Sequence, residues 1–148
     1  MLYIIAVLII LFDQVTKHLA VTYLAGKSAP VIQNIFHLTY VENTGAAFGM
    51  FKNNNSFFIV ISSVIIAVIL YMIHKTKPMV KSAYISTGLI VGGAVGNIID
   101  RIIRGYVVDF FDFRLINYPV FNIADCAVVI GAVLFAIGIL RSEDVVDK

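Results

Sequence analysis

The sequence predicts an all-α membrane protein: four transmembrane helices, a small external β-element and both termini in the cytoplasm. Three observations lead there. The 148 residues are 60% hydrophobic and only 14% charged, whereas a soluble domain is nearer half apolar and a quarter charged. Four apolar stretches are long enough to cross about 30 Å of hydrocarbon, which takes roughly 20 helical residues each. Between them lie turn-forming and aromatic residues of the kind found at a membrane interface. The length allows one integral domain, residues 1–148.

The first helix is expected over about 2–23. Residues 2–12 are unbroken apolar, yet no Lys or Arg precedes them, and Asp13, Gln14, Lys17 and His18 follow. That pattern reads as a retained span rather than a secretory leader. The second, about 57–74, is relieved only by Ser62, Ser63 and Tyr71. The third, about 83–103, and the fourth, about 120–140, carry polar residues inside the span. Four crossings put both termini on one side. The 75–82 loop holds Lys75, Lys77 and Lys81 without an acid, which places that loop and both termini inside.

The external β-element is expected over about 30–52. From Val31 to Tyr40 apolar residues partly alternate, with Ile32, Phe36, Leu38 and Tyr40 on one face and Asn34 the exception. Asn43-Thr44-Gly45 reads as a turn, and Ala46 to Phe51 as a returning second strand. The run Asn53-Asn54-Asn55-Ser56 offers caps for the second helix. Residues 104–119 read as an irregular aromatic loop.

Composition narrows the function classes. A net charge of +2 from scattered basic residues gives no nucleic-acid footprint. The lone Cys126 permits no internal disulfide. No HExxH or Cys/His cluster is present, so no metal and no cofactor are expected.

Ionisable residues near hydrocarbon are costly and mark function candidates. At about 1.5 Å per residue, Asp13 and Lys17 lie roughly 16 and 22 Å above the inner boundary, and Asn97 and Arg101 roughly 21 and 27 Å above it. Asp125 lies about 7 Å below the outer boundary, and Asp109 follows the third helix at the same level. Polar groups from three helices therefore gather in the outer half of the membrane. Asp13 and Lys17 are i, i+4 neighbours, as are Asn97 and Arg101, with Asp100 beside them. Gly88, Gly92 and Gly96 let backbones approach closely and hold Asn97 near another helix.

Each of these also has a plain structural reading. Asp13 and Lys17 make an internal ion pair that lets a helix insert. Asn122 with Asp125 three residues on is an ordinary helix cap. Asp112 reads as a solvated acid beside Arg114, and Cys126 as a small apolar packer. The residues alone leave both readings open. A proton- or ion-coupled transporter would also carry intramembrane Asp and Arg, but its internal repeats and midplane site are not apparent here. A structural subunit built on glycine packing leaves Asp109, Asn122 and Asp125 unexplained as a group.

Five motifs in order, DQVTK at 13–17, NTGAAF at 43–48, GGAVGNIIDR at 92–101, VVDFFDF at 107–113 and FNIAD at 121–125, resemble the lipoprotein signal peptidases, the type II signal peptidases of bacterial membranes. The resemblance implies an aspartyl endopeptidase of the bacterial cytoplasmic membrane, with its site toward the outer face. Its substrates would be prolipoproteins bearing a diacylglyceryl-modified Cys, cut just before that residue. Membrane lipid and globomycin-type inhibitors are the other partners it implies. Asp109 and Asp125 match the catalytic pair. Asp13, Asn43, Gly45, Asn97, Arg101 and Asn122 match the polar residues around it, and Lys17 and Asp100 match further motif positions. Of the pair, Asp125 is expected to carry the charge, in the first turn of a helix. Asp109, expected on an irregular segment beside Phe110 and Phe111, would carry the proton.

Overall fold

The computed structural model describes residues 1–45, 54–77 and 80–146, with side chains described as far as Leu140. The order is α1 (Leu2–Leu24), β1 (Ser28–Ile32), β2 (Phe36–Asn43), α2 (Asn55–Thr76), α3 (Lys81–Ile103), β3 (Val107–Phe113), a 3-10 turn (Arg114–Ile116) and α4 (Ile123–Val146). All four α-helices contain a stretch long and apolar enough to cross a membrane. Their lipid-facing residues, such as Ile4, Val64 and Val129, are exposed. The most deeply buried side chains include Lys17, Asp13, Asp100, Asp109 and Asn122. Apolar groups face outward and polar ones inward, as a bilayer solvent requires.

Helix α3 is the centre of the bundle. It packs on α1, α4 and α2, while α2 and α4 make little contact with each other. Glycines make this possible. A Cβ added at Gly88 or Gly92 would lie 2.9 Å from the backbone oxygen of Leu2 or Ala6, so this stripe presses α3 backbone onto α1. One at Gly96 would lie 2.6 Å from Asp13 Oδ2. Gly93, a quarter turn round, meets the Ala124 backbone oxygen of α4, and Gly131 of α4 meets Ser86 oxygen. The expected approach at 88, 92 and 96 is present, and Asn97 reaches both α1 and α4 from the next position.

The β-element differs from expectation in two ways. It is an antiparallel sheet in the order β1-β2-β3, and its third strand is the segment read as irregular loop. Val107–Phe113 runs Val-Val-Asp-Phe-Phe-Asp-Phe, buried from Val107 through Phe110. A strand covered on both faces shows no polar–apolar alternation. The single strand expected across 31–40 is instead a hairpin. Asn34, the residue that broke the alternation, is the turn, with φ +59°; Asn tolerates that left-handed conformation better than most residues. The returning strand expected at Ala46–Phe51 lies outside the described residues. Ala20, Val108 and Phe110 form the apolar contact that seats the sheet on the end of α1.

The α3–α4 contact generates a paired prediction. Gly93→Ala drives a methyl into Ala124 backbone and should lower the thermal midpoint of the purified protein, an overpacking cost of about 1–3 kcal/mol. Gly138→Ala places its Cβ 3.9 Å from Ser82 Oγ, an ordinary contact. It should be neutral or gain up to about 1 kcal/mol from helix propensity. Equal midpoints for the two variants would contradict this packing.

Candidate active site

Lys17 organises the polar interior. Its ammonium lies 2.9 Å from Asp13 Oδ2, 3.0 Å from Asp100 Oδ2 and 2.8 Å from Asn97 Oδ1. Those three oxygens account for its three donors. Each partner then reaches further. Asp13 Oδ1 accepts the Ala124 N–H in the first turn of α4 at 3.0 Å, satisfying a helix-terminal donor. Asp100 Oδ2 accepts the Val108 N–H of β3 at 3.0 Å. The ion-pair reading of Asp13 and Lys17 is therefore correct, and it extends to α3, α4 and β3. Gln14, not singled out from the sequence, completes the cluster with bonds to Asp13, Gly96 oxygen and Asp100. Its signal was present, as an amide between Asp13 and Lys17 in an otherwise apolar helix.

Asp109 and Asp125 come from different elements and converge on Asn122. The Asn122 side-chain amide donates to Asp109 Oδ1 at 2.6 Å. The Asn122 backbone N–H donates to Asp125 Oδ2 at 3.2 Å, and the Asp125 N–H returns to Asn122 Oδ1 at 2.9 Å. This reciprocal pair is a capping box with Asp in the acidic position. The cap reading and the site reading of FNIAD thus hold together, since one residue caps α4 and bonds both carboxylates.

Each carboxylate has a second amide. Asp109 pairs with Val41 across the sheet, which makes Asn43 its diagonal neighbour on the same face. Asn43 Nδ2 donates to Asp109 Oδ2 at 2.8 Å, and Asn43 Oδ1 accepts the Gly45 N–H at 3.0 Å. Asn97 Nδ2 donates to Asp125 Oδ1 at 2.8 Å, while its oxygen accepts from Lys17 and from Asn122 at 3.1 Å. An amide oxygen held by an ammonium leaves only the NH2 end for Asp125, so Lys17 fixes which way Asn97 faces.

Among the described residues Arg101 makes no hydrogen bond to a carboxylate. Its guanidinium donates to the backbone oxygens of Asn97 at 3.3 Å and Gly45 at 3.4 Å, and sits 5.0 Å from the Phe58 ring centroid of α2. Asp13, Lys17 and Asp100 likewise touch neither Asp109 nor Asp125 and act through their neighbours. Asp112 pairs with Arg114 at 2.8 Å on the sheet, as expected. Cys126 is free and half-buried. Among the described residues no group of three or more His, Cys, Asp or Glu is placed to hold a metal ion.

Asp109 stands on a strand, not the irregular segment expected, and accepts from two amide donors. Burial, followed by the nearby Asp125 carboxylate, nonetheless outweighs those amides and pushes its carboxyl up to about 7. Two interacting carboxylates of this kind resist double ionisation, which favours a state with one proton on the pair. A pair in that state can take a proton from water with one member and give a proton to a carbonyl with the other.

Comparison with known proteins identifies the family. The family model for signal peptidase (SPase) II matches residues 5–141. The chain is 47% identical to a lipoprotein signal peptidase of Halothermothrix orenii over 148 residues, covering 99% of this chain and all of the relative. It is 49% identical to one of Caldanaerobacter subterraneus subsp. tengcongensis, covering 88% and 90% of the two chains. A bacterial membrane enzyme solved by the in meso method at 2.3 Å shares its fold with a TM-score of 0.87 at 35% identity, covering 95% of this chain and 87% of that one. A near-complete family match, relatives of equal length and a matching four-helix fold lead to one assignment: the chain belongs to the signal peptidase II family.

Proposed function

We propose that this protein is an intramembrane aspartyl endopeptidase that removes the signal peptide from diacylglyceryl-modified bacterial prolipoproteins, cutting before the lipid-modified cysteine. The observation that carries the reading is the convergence of Asp109 and Asp125 on Asn122. The protein works in the cytoplasmic membrane with both termini inside and the sheet toward the outer face. There a substrate with two acyl chains and an apolar signal helix presents its scissile bond near the interface, within reach of water. Asp109, Asp125 and their amide partners take part without metal or cofactor.

In the resting site Asp125 is the carboxylate, supported by the α4 N-terminus, Asn97 and the Asn122 N–H. Asp109 is the acid. Asp125 accepts a proton from water as the water oxygen bonds to the scissile carbon, and Asp109 gives its proton to the carbonyl oxygen. The tetrahedral intermediate then collapses. The proton on Asp125 passes to the leaving nitrogen as the C–N bond breaks, and the proton on oxygen returns to Asp109. Asn97, Asn122 and Asn43 orient the carboxylates, while Arg101 and Gly45 flank the path of the peptide. The extended substrate pairs with the exposed side of the β-element.

Asp109→Asn and Asp125→Asn should each lower turnover of a diacylglyceryl prolipoprotein peptide by about 10²–10⁴-fold or more, the span of general acid–base catalysis. Insertion and thermal midpoint should change little. Near-normal turnover by either variant would remove the pair from the mechanism.

The acid assignment sets the pH profile. As pH rises through about 7 Asp109 loses its proton, so kcat/KM should fall by about ten-fold per unit above that point. Asn43→Ala removes a donor that favours the ionised form. The carboxyl then titrates higher, and the descending limb should move to higher pH. Movement to lower pH would reverse the assignment, and the limb itself reports the pair.

Cys126→Ala, and treatment with EDTA, should leave turnover intact, whereas a globomycin-type peptide should block it. Activity lost in chelator and restored by zinc would replace the aspartyl mechanism with a metal one.

A further inference from the structure

At the end of the bundle opposite the carboxylates, α2 and α4 diverge over α3 and leave an apolar groove of about 660 Å³. Met72 and Ile73 of α2, Thr87 of α3 and Leu134 and Phe135 of α4 line it, with Val80 at its mouth. Gly138 on α4 keeps the wall shallow, with only Ser82 Oγ near its Cβ position. The Thr87 hydroxyl is buried and has no hydrogen-bond partner among the described residues. Thr87 lies ten residues before Asn97 on α3, about 15 Å from the level of the carboxylates. The groove therefore stands apart from the proposed reaction.

We propose that this groove is a binding site for an anionic phospholipid, with one acyl chain between α2 and α4 and the phosphate at Lys75, Lys77 and Lys81. Charge and size both select this occupant. The segment 75–82 carries three lysines and no acid. The end of α4 lies at the same end of the bundle, and the segments 75–82 and 141–148 together hold five Lys or Arg against three acids, Glu143, Asp144 and Asp147. Lysines at a membrane surface attract anionic headgroups, each contributing on the order of five-fold in relative affinity. They repel the positively charged leading region of a signal peptide, the other apolar molecule this enzyme would meet. The groove volume of about 660 Å³ is the size of a small-ligand site, room for one acyl chain. An ester carbonyl reaching the level of Thr87 would satisfy its hydroxyl.

The chain contains no tryptophan, so a single indole reports without background. Phe135→Trp would be reconstituted in bilayers containing bromo-acyl phosphatidylglycerol or bromo-acyl phosphatidylcholine at equal mole fraction. The groove indole should be quenched at several-fold lower mole fraction of the anionic lipid. The preference should vanish in the triple variant K75Q/K77Q/K81Q. Ile4→Trp, at a similar level on the lipid-facing side of α1, should show none. Leu134→Trp repeats the measurement if Phe135→Trp does not fold. Equal quenching by the two lipids, or a preference that survives loss of the lysines, would overturn the proposal. So would quenching relieved by a stoichiometric unlipidated signal-sequence peptide, which would assign the groove to the substrate helix.

Discussion

A lysine ammonium buried in a membrane bundle is tolerable only if every donor finds an oxygen, and at Lys17 each one does. The rest of the interior follows from that constraint. Asp13 and Asp100 both meet that ammonium, and Arg104 lies 3.4 Å from Asp100 Oδ1, so α1 and α3 are locked at one height. The spare oxygen capacity of those carboxylates is then used on Ala124 N–H of α4 and Val108 N–H of β3. Removing one partner of such a cluster leaves an uncompensated charge, a cost of about 3–5 kcal/mol. The cluster binds four elements, beside the apolar contact of Ala20, Val108 and Phe110. In a bilayer, where helices gain no hydrophobic energy by meeting, polar contacts and backbone proximity are the means available.

The same contacts set the chemistry. Asp125 is placed by the cap of α4, and that cap depends on Asn122, whose orientation depends on Asn97 and hence on Lys17. Asp109 is placed by the register of β3 against β2. No group in the pair is held by a flexible loop alone. Gly93 adds a subtler control, since the absent side chain lets Ala124 backbone sit against α3 and so fixes the height of Asp125 one residue later.

Much of this was legible in the chain and some was not. The four spans, the glycine stripe facing a neighbour and the gathering of Asp13, Lys17, Asn97, Arg101, Asp109 and Asp125 followed from spacing and rise. Strand β3 did not, because a strand buried on both faces carries no alternation, and Val107 to Phe110 gave no polar residue but Asp109. The hairpin at Asn34 was misread for a related reason: one out-of-phase residue reads as noise until its left-handed backbone is seen. The bond from Asn43 to Asp109 joins residues 66 apart through strand register, which no local pattern encodes. Arg101, matched by the resemblance to the polar residues around the site, is held by backbone oxygens and the Phe58 ring, partners that helical spacing does not specify.

Three amides, Asn43, Asn97 and Asn122, hold the two carboxylates, and each must remain an amide over the lifetime of the protein. Hydrolytic ageing of asparagine proceeds through attack by the following backbone nitrogen on the side-chain carbon. The residues that follow are Thr44, Ile98 and Ile123, all β-branched and stiff at χ1, which crowd that attack. Asn97 is further protected by the helical backbone on either side. Conversion of Asn122 alone would set a third negative group against Asp109 and take away the side-chain amide that donates to it. The sequence around each amide thus guards against slow chemical decay, and the site's durability is written one residue beyond the groups that form it.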